Sequence, residues 1–279
     1  MIVTPLTGRF GAEVTDIDLS GMLTSEDLVA IEDAFVEHSV LCFRDQELTL
    51  EQFEDFALQL GDFGETPFIT PMADHPAVLR LLREADEQGP LFGSGWHSDW
   101  SFQDQPPSAT LLYGVDIPPA GGDTAFISQA LAYETLSPVM RGIVDGLNGV
   151  HSARRSYGPR GTFGRHDPAR SMEIHGDESA LRSICHPMVR THPISGRRSL
   201  FVNEVYTIGI EGMSDDESRA LLDMLFAHSR RIDLSCRVRW QRGTLTMWDN
   251  RVTQHYAIDD YAGHRREMWR ITLAGERPQ

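Results

Sequence analysis

The sequence lacks lysine entirely, since all 25 of its basic side chains are arginines. Without a lysine amine, the chain cannot form a Schiff base with pyridoxal phosphate or with a carbonyl substrate. It also cannot supply the lysine that a phosphate-binding P-loop or a protein kinase requires. A bias toward arginine codons is sufficient to explain this composition, and the exclusion of these enzyme classes holds whatever its cause.

Cysteine, long apolar runs and positive charge are also scarce. The three cysteines, Cys42, Cys185 and Cys236, are odd in number and far apart, which indicates free thiols in a cytoplasmic protein. The sequence has no run of about 18 apolar residues and no basic stretch leading into one, so we expect neither a membrane span nor a signal peptide. The net charge of −16 disfavours binding to nucleic acid or to an anionic membrane.

The spacing of apolar residues predicts a mostly β protein with flanking helices. Helical spacing and capping residues predict helices at 24–38, at 50–60, twice within 128–146, and after the capping box of Ser214 and Glu217. Apolar or alternating runs predict strands at 40–43, 77–82, 96–102, 109–116, 236–240, 244–249 and 267–274. No linker or repeat interrupts the chain, so we expect one domain over residues 1–279, built on an antiparallel sandwich or barrel.

Residues 151–175 differ from the rest of the chain in being rich in arginine, glycine and serine. Five arginines fall within this segment: Arg154, Arg155, Arg160, Arg165 and Arg170. One interpretation is an exposed, mobile loop. The other is a mobile lid over a site that takes an anion.

The pattern His-x-Asp, which occurs at 97–99 and at 175–177, raises the question of a metal site. On an extended segment the two side chains point to the same face and can share one ion. About one match is expected by chance in a chain of this composition, so the context decides. His97 and Asp99 lie in an aromatic-rich run that a barrel wall can bury, whereas His175 lies in a polar segment and is expected to be solvated.

A distant histidine would complete a facial triad of two histidines and one carboxylate. Three ligands on one face leave three positions open, which suits an Fe(II) ion that also binds a co-substrate and O2. His255, which follows a predicted strand and a polar turn, is the candidate for the third ligand. The other histidines outside the two motifs are interpreted as structural: His38, His75, His151, His166, His186, His192, His228 and His264.

Two arginines occupy the last predicted strand. Arg266 and Arg270 are four residues apart, so they share a face and lie about 13 Å apart along the strand. Arginine on a half-buried face is costly unless an anion pairs with it. The alternatives are two structural salt bridges or two anchors for separate anions, since one carboxylate cannot easily bridge that distance.

Several of these residues, taken together and in order, resemble the taurine dioxygenase family of Fe(II)- and 2-oxoglutarate-dependent oxygenases. The resemblance extends over nearly the whole chain. The matching motifs are Ser39–Arg44, Trp96-His97-Ser98-Asp99, Pro118–Thr124, His186–Pro193, Trp248–Arg251 with His255, and Arg266-x-x-x-Arg270. The family implies a double-stranded β-helix, or jelly-roll, core.

The resemblance also implies roles for particular residues. His97, Asp99 and His255 match the iron ligands of the family. Thr124 and Arg266 match the residues that bind the distal carboxylate of 2-oxoglutarate, and Arg270 matches the arginine that meets an anionic substrate group. The implied reaction consumes O2, converts 2-oxoglutarate to succinate and CO2, and hydroxylates an unactivated C–H bond. Because Asp99 is present, we expect hydroxylation rather than the halogenation that related enzymes lacking this carboxylate perform.

The chain departs from the taurine pattern where the family places polar contacts to a small amine. Residues 67–71 and 93–95 lack the expected histidine, tyrosine and asparagine. We therefore expect a more apolar, anionic small molecule: a sulfonate, sulfate ester, aryloxyalkanoate or amino-acid-like compound, with Phe68 and Tyr206 as substrate-binding walls. The family also implies a homodimer or homotetramer.

Two other functions compete with this interpretation. A zinc-dependent hydrolase could use the same His/Asp/His set to activate water. A non-catalytic protein on this fold could simply bind small anions. The hydrolase does not account for the Gly-Gly-Asp-Thr turn at 121–124 or for two arginines on one strand. A complete set of metal ligands with a co-substrate arginine disfavours the non-catalytic protein.

Overall fold

The computed structural model describes residues 1–279, the whole of the chain. Six α-helices are present: α1 (Ser25–His38), α2 (Leu50–Leu60), α3 (Gln129–Glu134), α4 (Pro138–Val144), α5 (Arg154–Tyr157) and α6 (Asp215–Ser229). Fifteen β-strands are present: β1 (Ile2–Pro5), β2 (Ala12–Thr15), β3 (Val40–Phe43), β4 (Leu79–Arg83), β5 (Ala109–Asp116), β6 (Thr124–Ser128), β7 (Asn148–Ser152), β8 (Ser183–Pro187), β9 (Val189–Thr191), β10 (Arg198–Leu200), β11 (Thr207–Ile210), β12 (Ser235–Val238), β13 (Leu245–Asp249), β14 (Thr253–Ala257) and β15 (Arg266–Leu273). No helix combines the length and apolar character needed to cross a membrane.

The largest sheet has seven strands in the order β1-β2-β3-β13-β5-β15-β4. Its pairs are antiparallel except for β2 and β3, which run parallel. Smaller antiparallel sheets are formed by β12-β6-β14, by β11-β7-β8 and by the β9-β10 pair. The crossovers in the strand order mean that neighbours in the large sheet come from distant parts of the sequence.

Side chains alternate across the large sheet and build two separate cores. On β13, Leu245 and Met247 pack with apolar residues of α1 and α2. Trp248, which points the other way, packs with Phe126 of β6 and Val238 of β12. The inner core therefore lies between the large sheet and the smaller strands, with helices outside, as the predicted jelly roll requires.

The helices begin where the sequence signals predict. Thr49 and Gln52 form a reciprocal capping box before α2, and Ser214 and Glu217 form another before α6. Each cap supplies a partner for backbone N–H groups that the first helical turn leaves unpaired, and contributes about 1 kcal/mol. Both boxes fix the starting residue of a helix that packs against the sheets.

The prediction of an extended strand over 96–102 is wrong. Within that range only His97 makes a β-bridge, and residues 99–102 form a turn. Trp100 has a φ of 45°, in the left-handed region that few non-glycine residues adopt. Residues 97–101 are buried, as predicted, and Trp96 and Phe102 are half-buried, but a turn that folds back toward β14 buries them.

The other predicted elements are confirmed to within a few residues, while several short strands were missed. The missed strands include β6 and β14, which carry Thr124 and His255. Both are five residues long, and β14 contains polar residues throughout most of its length. Neither shows the alternation that would mark a half-buried strand. In β14, for example, Thr253, Gln254 and His255 are buried in succession.

Candidate active site

His97 and His255 are held side by side by their own backbones. The His97 N–H donates to the His255 carbonyl at 3.2 Å, and the His255 N–H donates to the His97 carbonyl at 2.9 Å. The two imidazole centroids lie 4.2 Å apart. Asp99 Oδ1 lies 3.6 Å from His97 Nε2 and 3.8 Å from His255 Nε2. The three residues that the sequence singled out therefore meet at one point.

A turn, rather than a strand, brings the Asp99 carboxylate to the two imidazoles. Ser98 starts this turn by donating its hydroxyl to the Asn250 carbonyl and, at 3.0 Å, to the Thr253 carbonyl. The Asp99 N–H then lies 3.4 Å from Asn250 Oδ1. These contacts tie the turn to the segment between β13 and β14, so the position of Asp99 depends on residues distant in sequence.

Hydrogen bonds orient the donor atoms of the cluster. His97 Nδ1 lies 2.8 Å from the Gly95 carbonyl, which can only accept, so Nδ1 carries the proton and Nε2 keeps a free lone pair. Thr110 donates its hydroxyl to Asp99 Oδ2 at 2.6 Å and leaves Oδ1 facing the imidazoles. Asn250 Nδ2 in turn donates to Thr110 at 2.8 Å. Such outer contacts fix the orientation of ligand side chains in metal sites.

Burial and neighbouring charge set the protonation states. Burial lowers the pKa of His255 well below its ordinary value, so its imidazole is neutral at neutral pH. Burial alone would raise the pKa of Asp99. Arg270 and the two imidazoles outweigh that effect and hold this pKa far below its usual range, so the carboxyl group is ionised.

The donor set fits a divalent transition metal. Two imidazole nitrogens and one carboxylate oxygen lie within 4.8 Å of one another, and all three residues are buried. These are the ligand types that iron, zinc and manganese accept, and three ligands leave room for further groups on the ion. The structure contains no second cluster of three such groups.

Beside the cluster lies a cavity with about 430 Å³ of space, part of it open to solvent. Thr124 and Arg266 occupy its wall together with His97, Asp99 and His255. Trp240 Nε1 donates to Thr124 Oγ1 at 2.9 Å, so the threonine hydroxyl is free to donate its own proton into the cavity.

The Arg266 guanidinium is buried without a carboxylate partner. Its Nη2 donates to the Gly122 carbonyl at 3.2 Å, and its Nε has no partner. Gly122 has a φ of 70°, and a Cβ built there would lie 3.2 Å from Arg266 Nε. A glycine is needed at this turn both for its backbone conformation and for the space that the guanidinium occupies. A buried charge that lacks a counter-ion favours binding of an anion.

Arg270 lies on the same cavity wall as Arg266, as the strand alternation predicted. Its Nη2 lies 2.7 Å from Asp99 Oδ1, at an angle that makes no hydrogen bond. The guanidinium carbon lies 5.1 Å from the centroid of the Trp100 ring. Arg270 can therefore offer unused donors to an anion close to the His/Asp cluster.

Phe68 and Tyr206 do not line this cavity but belong to an aromatic cluster next to it. The Tyr206 ring meets the His97 imidazole edge-on, with 6.0 Å between centroids. The Phe68 ring stacks on Tyr157 at 4.9 Å, and Phe68 has a φ of 66°. The structure thus brings six predicted site residues together and places these two in the adjoining cluster.

Sequence reasoning assigned no role to Thr110, Asn250 or Trp240. Thr110 lies in an otherwise apolar stretch of β5, and a polar residue in such a stretch is the kind of signal that marks a buried contact. Asn250 lay within a recognised motif, but its bonds to Thr110 and to the Trp248 indole become visible only in three dimensions.

Comparison with known proteins gives a consistent result. A family model described as "Taurine catabolism dioxygenase TauD, TfdA family" matches residues 2–272. The chain is 38% identical over 279 residues to an alpha-ketoglutarate-dependent sulfate ester dioxygenase of Pseudomonas putida, covering 99% of this chain and 90% of the relative. It is 36% identical over 273 residues to an alkylsulfatase of Acinetobacter baylyi, covering 97% and 84% of the two chains.

Solved structures show the same fold. A taurine dioxygenase from Burkholderia xenovorans superposes with a TM-score of 0.82 at 35% identity, covering 99% of this chain and 92% of that chain. AAD-2 in complex with Mn(II) and N-oxalylglycine superposes with a TM-score of 0.82 at 29% identity, covering 99% of both. The predicted jelly roll and resemblance are confirmed, and neither the zinc hydrolase nor the non-catalytic interpretation gains support.

Proposed function

The chain belongs to the taurine catabolism dioxygenase TauD, TfdA family and is an Fe(II)- and 2-oxoglutarate-dependent dioxygenase; from this premise we propose that His97, Asp99 and His255 hold the iron. The observation that carries the proposal is their convergence, with one donor atom of each facing a common point. Together they form a facial triad, whose bound Fe(II) supplies the oxidation that couples O2 and 2-oxoglutarate to hydroxylation of a substrate C–H bond.

Arg266 and Thr124 hold the distal carboxylate of 2-oxoglutarate in this proposal. Both line the cavity beside the triad, and Arg266 has no protein carboxylate to neutralise its charge. The guanidinium fork matches a carboxylate in geometry, and the Thr124 hydroxyl adds a further donor. Arg266 thereby fixes one end of the co-substrate, so that its keto-acid end points toward His97 and His255.

Arg270 binds the anionic group of the second substrate, which we assign to the class of alkyl sulfate esters. Apart from the triad, Thr124 and the two arginines, the cavity is lined by glycine and apolar side chains: Leu81, Phe92, Gly93, Leu112, Trp248 and Ala257. Taurine carries an ammonium group, and apart from the triad and the Thr124 hydroxyl the lining side chains provide no acceptor for it. An alkyl chain packs against these apolar walls, and Phe68 and Tyr206 of the aromatic cluster close over its far end.

Hydroxylation of the carbon that bears the ester oxygen would lead to cleavage. The new hydroxyl gives up its proton and forms a carbonyl while the C–O bond to sulfate breaks, so the products are an aldehyde and sulfate. Arg270 stabilises the departing negative charge, because its guanidinium faces the anionic group. One succinate and one CO2 accompany each sulfate released.

The proposal extends to the organisation of the chain. Residues 1–279 act as one oxygenase domain, and residues 151–175 act as its lid. Tyr157 in this segment stacks on Phe68, and Phe163 lies 6.0 Å from the ring of Phe92, a wall of the cavity. A cytoplasmic location agrees with three free cysteines. A dimer or tetramer, and the absence of nucleic-acid or membrane partners, also belong to this proposal.

The test is turnover of Fe(II)-loaded protein with 2-oxoglutarate, O2, ascorbate and a panel of substrates. We expect succinate, sulfate and aldehyde in equal amounts from a medium-chain alkyl sulfate, and little succinate above background from taurine. Metal content of the His97→Ala, Asp99→Ala and His255→Ala variants provides a readout that does not depend on turnover.

Each alanine variant should lose Fe(II) together with activity. Full metal binding by any of them would refute the ligand assignment. Succinate release with taurine or an aryloxyacetate, and none with any alkyl sulfate, would refute the substrate class while leaving the triad intact.

A further inference from the structure

Arg83 and Arg266 lie directly opposite each other on adjacent strands. Arg83 ends β4, Arg266 begins β15, and the two are register partners in an antiparallel pair. Their guanidinium carbons lie 5.8 Å and 5.7 Å from the centroid of one ring, that of Tyr261. Like charges directly across a strand pair destabilise a sheet, and an anion bound between the two guanidinium groups would relieve this repulsion.

Neither guanidinium is fully paired within the protein. Arg83 Nη1 is buried without a hydrogen-bond partner, and Asp259 Oδ1 lies 3.5 Å from it, beyond a good hydrogen bond. Arg83 Nη2 reaches only the Glu87 carbonyl, at 3.4 Å. Arg266 Nε is also unpartnered. The proposed co-substrate accounts for Arg266 but gives no reason for Arg83.

A second cavity, the arginine chamber, adjoins the active-site cavity. It has about 400 Å³ of space, part of it open to solvent. Its polar walls are Arg83, Glu87, Arg170, Tyr261 and Arg266. Leu81, Phe92 and Arg266 line both cavities, so Arg266 stands between them.

The charge of the arginine chamber is positive. Three guanidinium groups face two carboxylates, that of Glu87 and that of Asp259, which lies 3.5 Å from Arg83. The Glu87 carboxylate accepts hydrogen bonds from the Ser171 N–H and hydroxyl. Arg170 forms no salt bridge and packs its guanidinium over the Phe163 ring at 4.7 Å. The chain as a whole carries a charge of −16, which repels a dianion approaching from solvent.

We propose that the arginine chamber is a dicarboxylate vestibule, in which Arg83 and Arg170 capture 2-oxoglutarate before Arg266 takes it and receive succinate as it leaves. The inference rests on the proposed role of Arg266. A positive chamber beside the active-site cavity, in a negative molecule, concentrates the dianion next to Arg266 and raises its association rate. Arg83 and Arg170 act on arrival and departure, so they are positioning residues rather than catalytic ones.

The experiment measures association of 2-oxoglutarate with Mn(II)-loaded protein by stopped-flow tryptophan fluorescence, using Trp248 in the cavity wall. Arg83→Gln and Arg170→Gln should each lower the association rate constant by about 3- to 10-fold at low salt. The dissociation rate constant should fall in parallel, so that Kd changes by less than about 2-fold, since the vestibule lies on the path and not at the final site. The salt dependence between about 20 mM and about 300 mM should flatten in both variants.

Two controls make the result specific. Arg83→Lys keeps the charge and should retain most of the rate, and Arg165→Gln removes an exposed charge of the same segment that does not line the chamber. Association rates of both Gln variants equal to that of Arg165→Gln would overturn the vestibule. A faster dissociation with unchanged association in Arg83→Gln would overturn it too, because Arg83 would then clamp the bound ligand. Failure of the unaltered protein to bind 2-oxoglutarate at all would instead refute the proposed function and the vestibule together.

Discussion

Two buried clusters in this molecule are built from aspartate, histidine and arginine, but they differ in how many of their polar atoms have hydrogen-bond partners. In the active site, Asp99 meets two histidines and Arg270, and several polar atoms nearby lack partners: His255 Nδ1, Arg266 Nε and Arg270 Nη2. At the end of β13, Asp249 accepts hydrogen bonds from His192 Nε2, from Arg251 Nε and Nη2, and from the Arg251 N–H. Burial and charge are alike in the two clusters, and only the hydrogen bonding differs.

The difference separates a functional cluster from a structural one. Asp249 is saturated, and the His192 side of its network ends in Ser195, whose N–H and hydroxyl both lie within 3.0 Å of His192 Nδ1. A saturated buried network has nothing left to offer a ligand, whereas unpaired buried donors are costly and call for one. The number of polar atoms without a hydrogen-bond partner therefore distinguishes the two clusters, whereas residue type does not.

The largest expected effect comes from Asp99→Asn. Loss of the anionic ligand should lower kcat/KM by at least about 1,000-fold, or about 4 kcal/mol of transition-state stabilisation. The unfolding free energy should also fall, since Arg270 loses the carboxylate that lies 2.7 Å from it, but by less than in the matched Asp249→Asn variant. Arg270 Nη2 makes no hydrogen bond with Asp99, and Thr110 is the one side chain that donates to this carboxylate. Steady-state kinetics and urea denaturation measure the two quantities, and a fully active Asp99→Asn protein would contradict the comparison.

Asp249→Asn should instead lower the unfolding free energy more than it lowers activity. Removing this charge leaves Glu276, 4.0 Å from Arg251 Nη1, as the other carboxylate near the buried guanidinium, and the loss costs about 3 kcal/mol of unfolding free energy. The folded fraction should keep its metal and most of its activity, since Asp249 does not line the active-site cavity. Denaturant titration with metal analysis checks this, and loss of metal without loss of stability would show that the two clusters are not distinct.

Arg266→Gln and Arg270→Gln test whether the two active-site arginines bind different anionic compounds. The first should raise KM for 2-oxoglutarate by about 100-fold, or about 2.7 kcal/mol, with a small effect on the alkyl sulfate. The second should raise KM for the alkyl sulfate while 2-oxoglutarate binding changes little. Titration of each variant with both compounds tests the assignment, which crossed effects would reverse.

The smallest expected effect is the loss of folding stability contributed by the Asp249 cluster at acid pH. Burial alone would raise the pKa of Asp249, but hydrogen bonds from His192 and Arg251 lower it to about 2. A lowered pKa in the folded state adds stability above the unfolded pKa of about 4 and loses it as the pH falls toward 2, a contribution of about 2 kcal/mol. The stability difference between the unaltered protein and Asp249→Asn should therefore narrow from pH 5 to pH 3; a constant difference would contradict this origin.

The sequence was informative where one physical signal dominated. Alternation on β15 correctly put Arg266 and Arg270 on one face, because side-chain direction in a strand has a strict period of two. His97 and Asp99 do lie together with His255, but the geometric reason given for pairing them failed. A strand was expected, and a turn with Trp100 at positive φ delivers the carboxylate instead.

The remaining features depend on contacts that no local pattern encodes. The turn at Ser98 exists because Asn250 and Thr253 accept its hydroxyl across about 150 residues of sequence. Similarly, Arg83 is ordinary in the sequence of β4 and becomes unusual only when β15 pairs with it. Long-range pairing of this kind needs the folded chain.

The backbone bridge between His97 and His255 bears on how the site tolerates exchange of its ion. Two amide hydrogen bonds set the spacing of the imidazoles, so this spacing does not have to be assembled by the metal itself. A metal site preorganised in this way can release one divalent cation and bind another without refolding of the surrounding chain. Replacement of iron by a redox-silent ion is then a simple substitution, which makes the resting protein as accessible to calorimetry and magnetic resonance as the working enzyme is to kinetics.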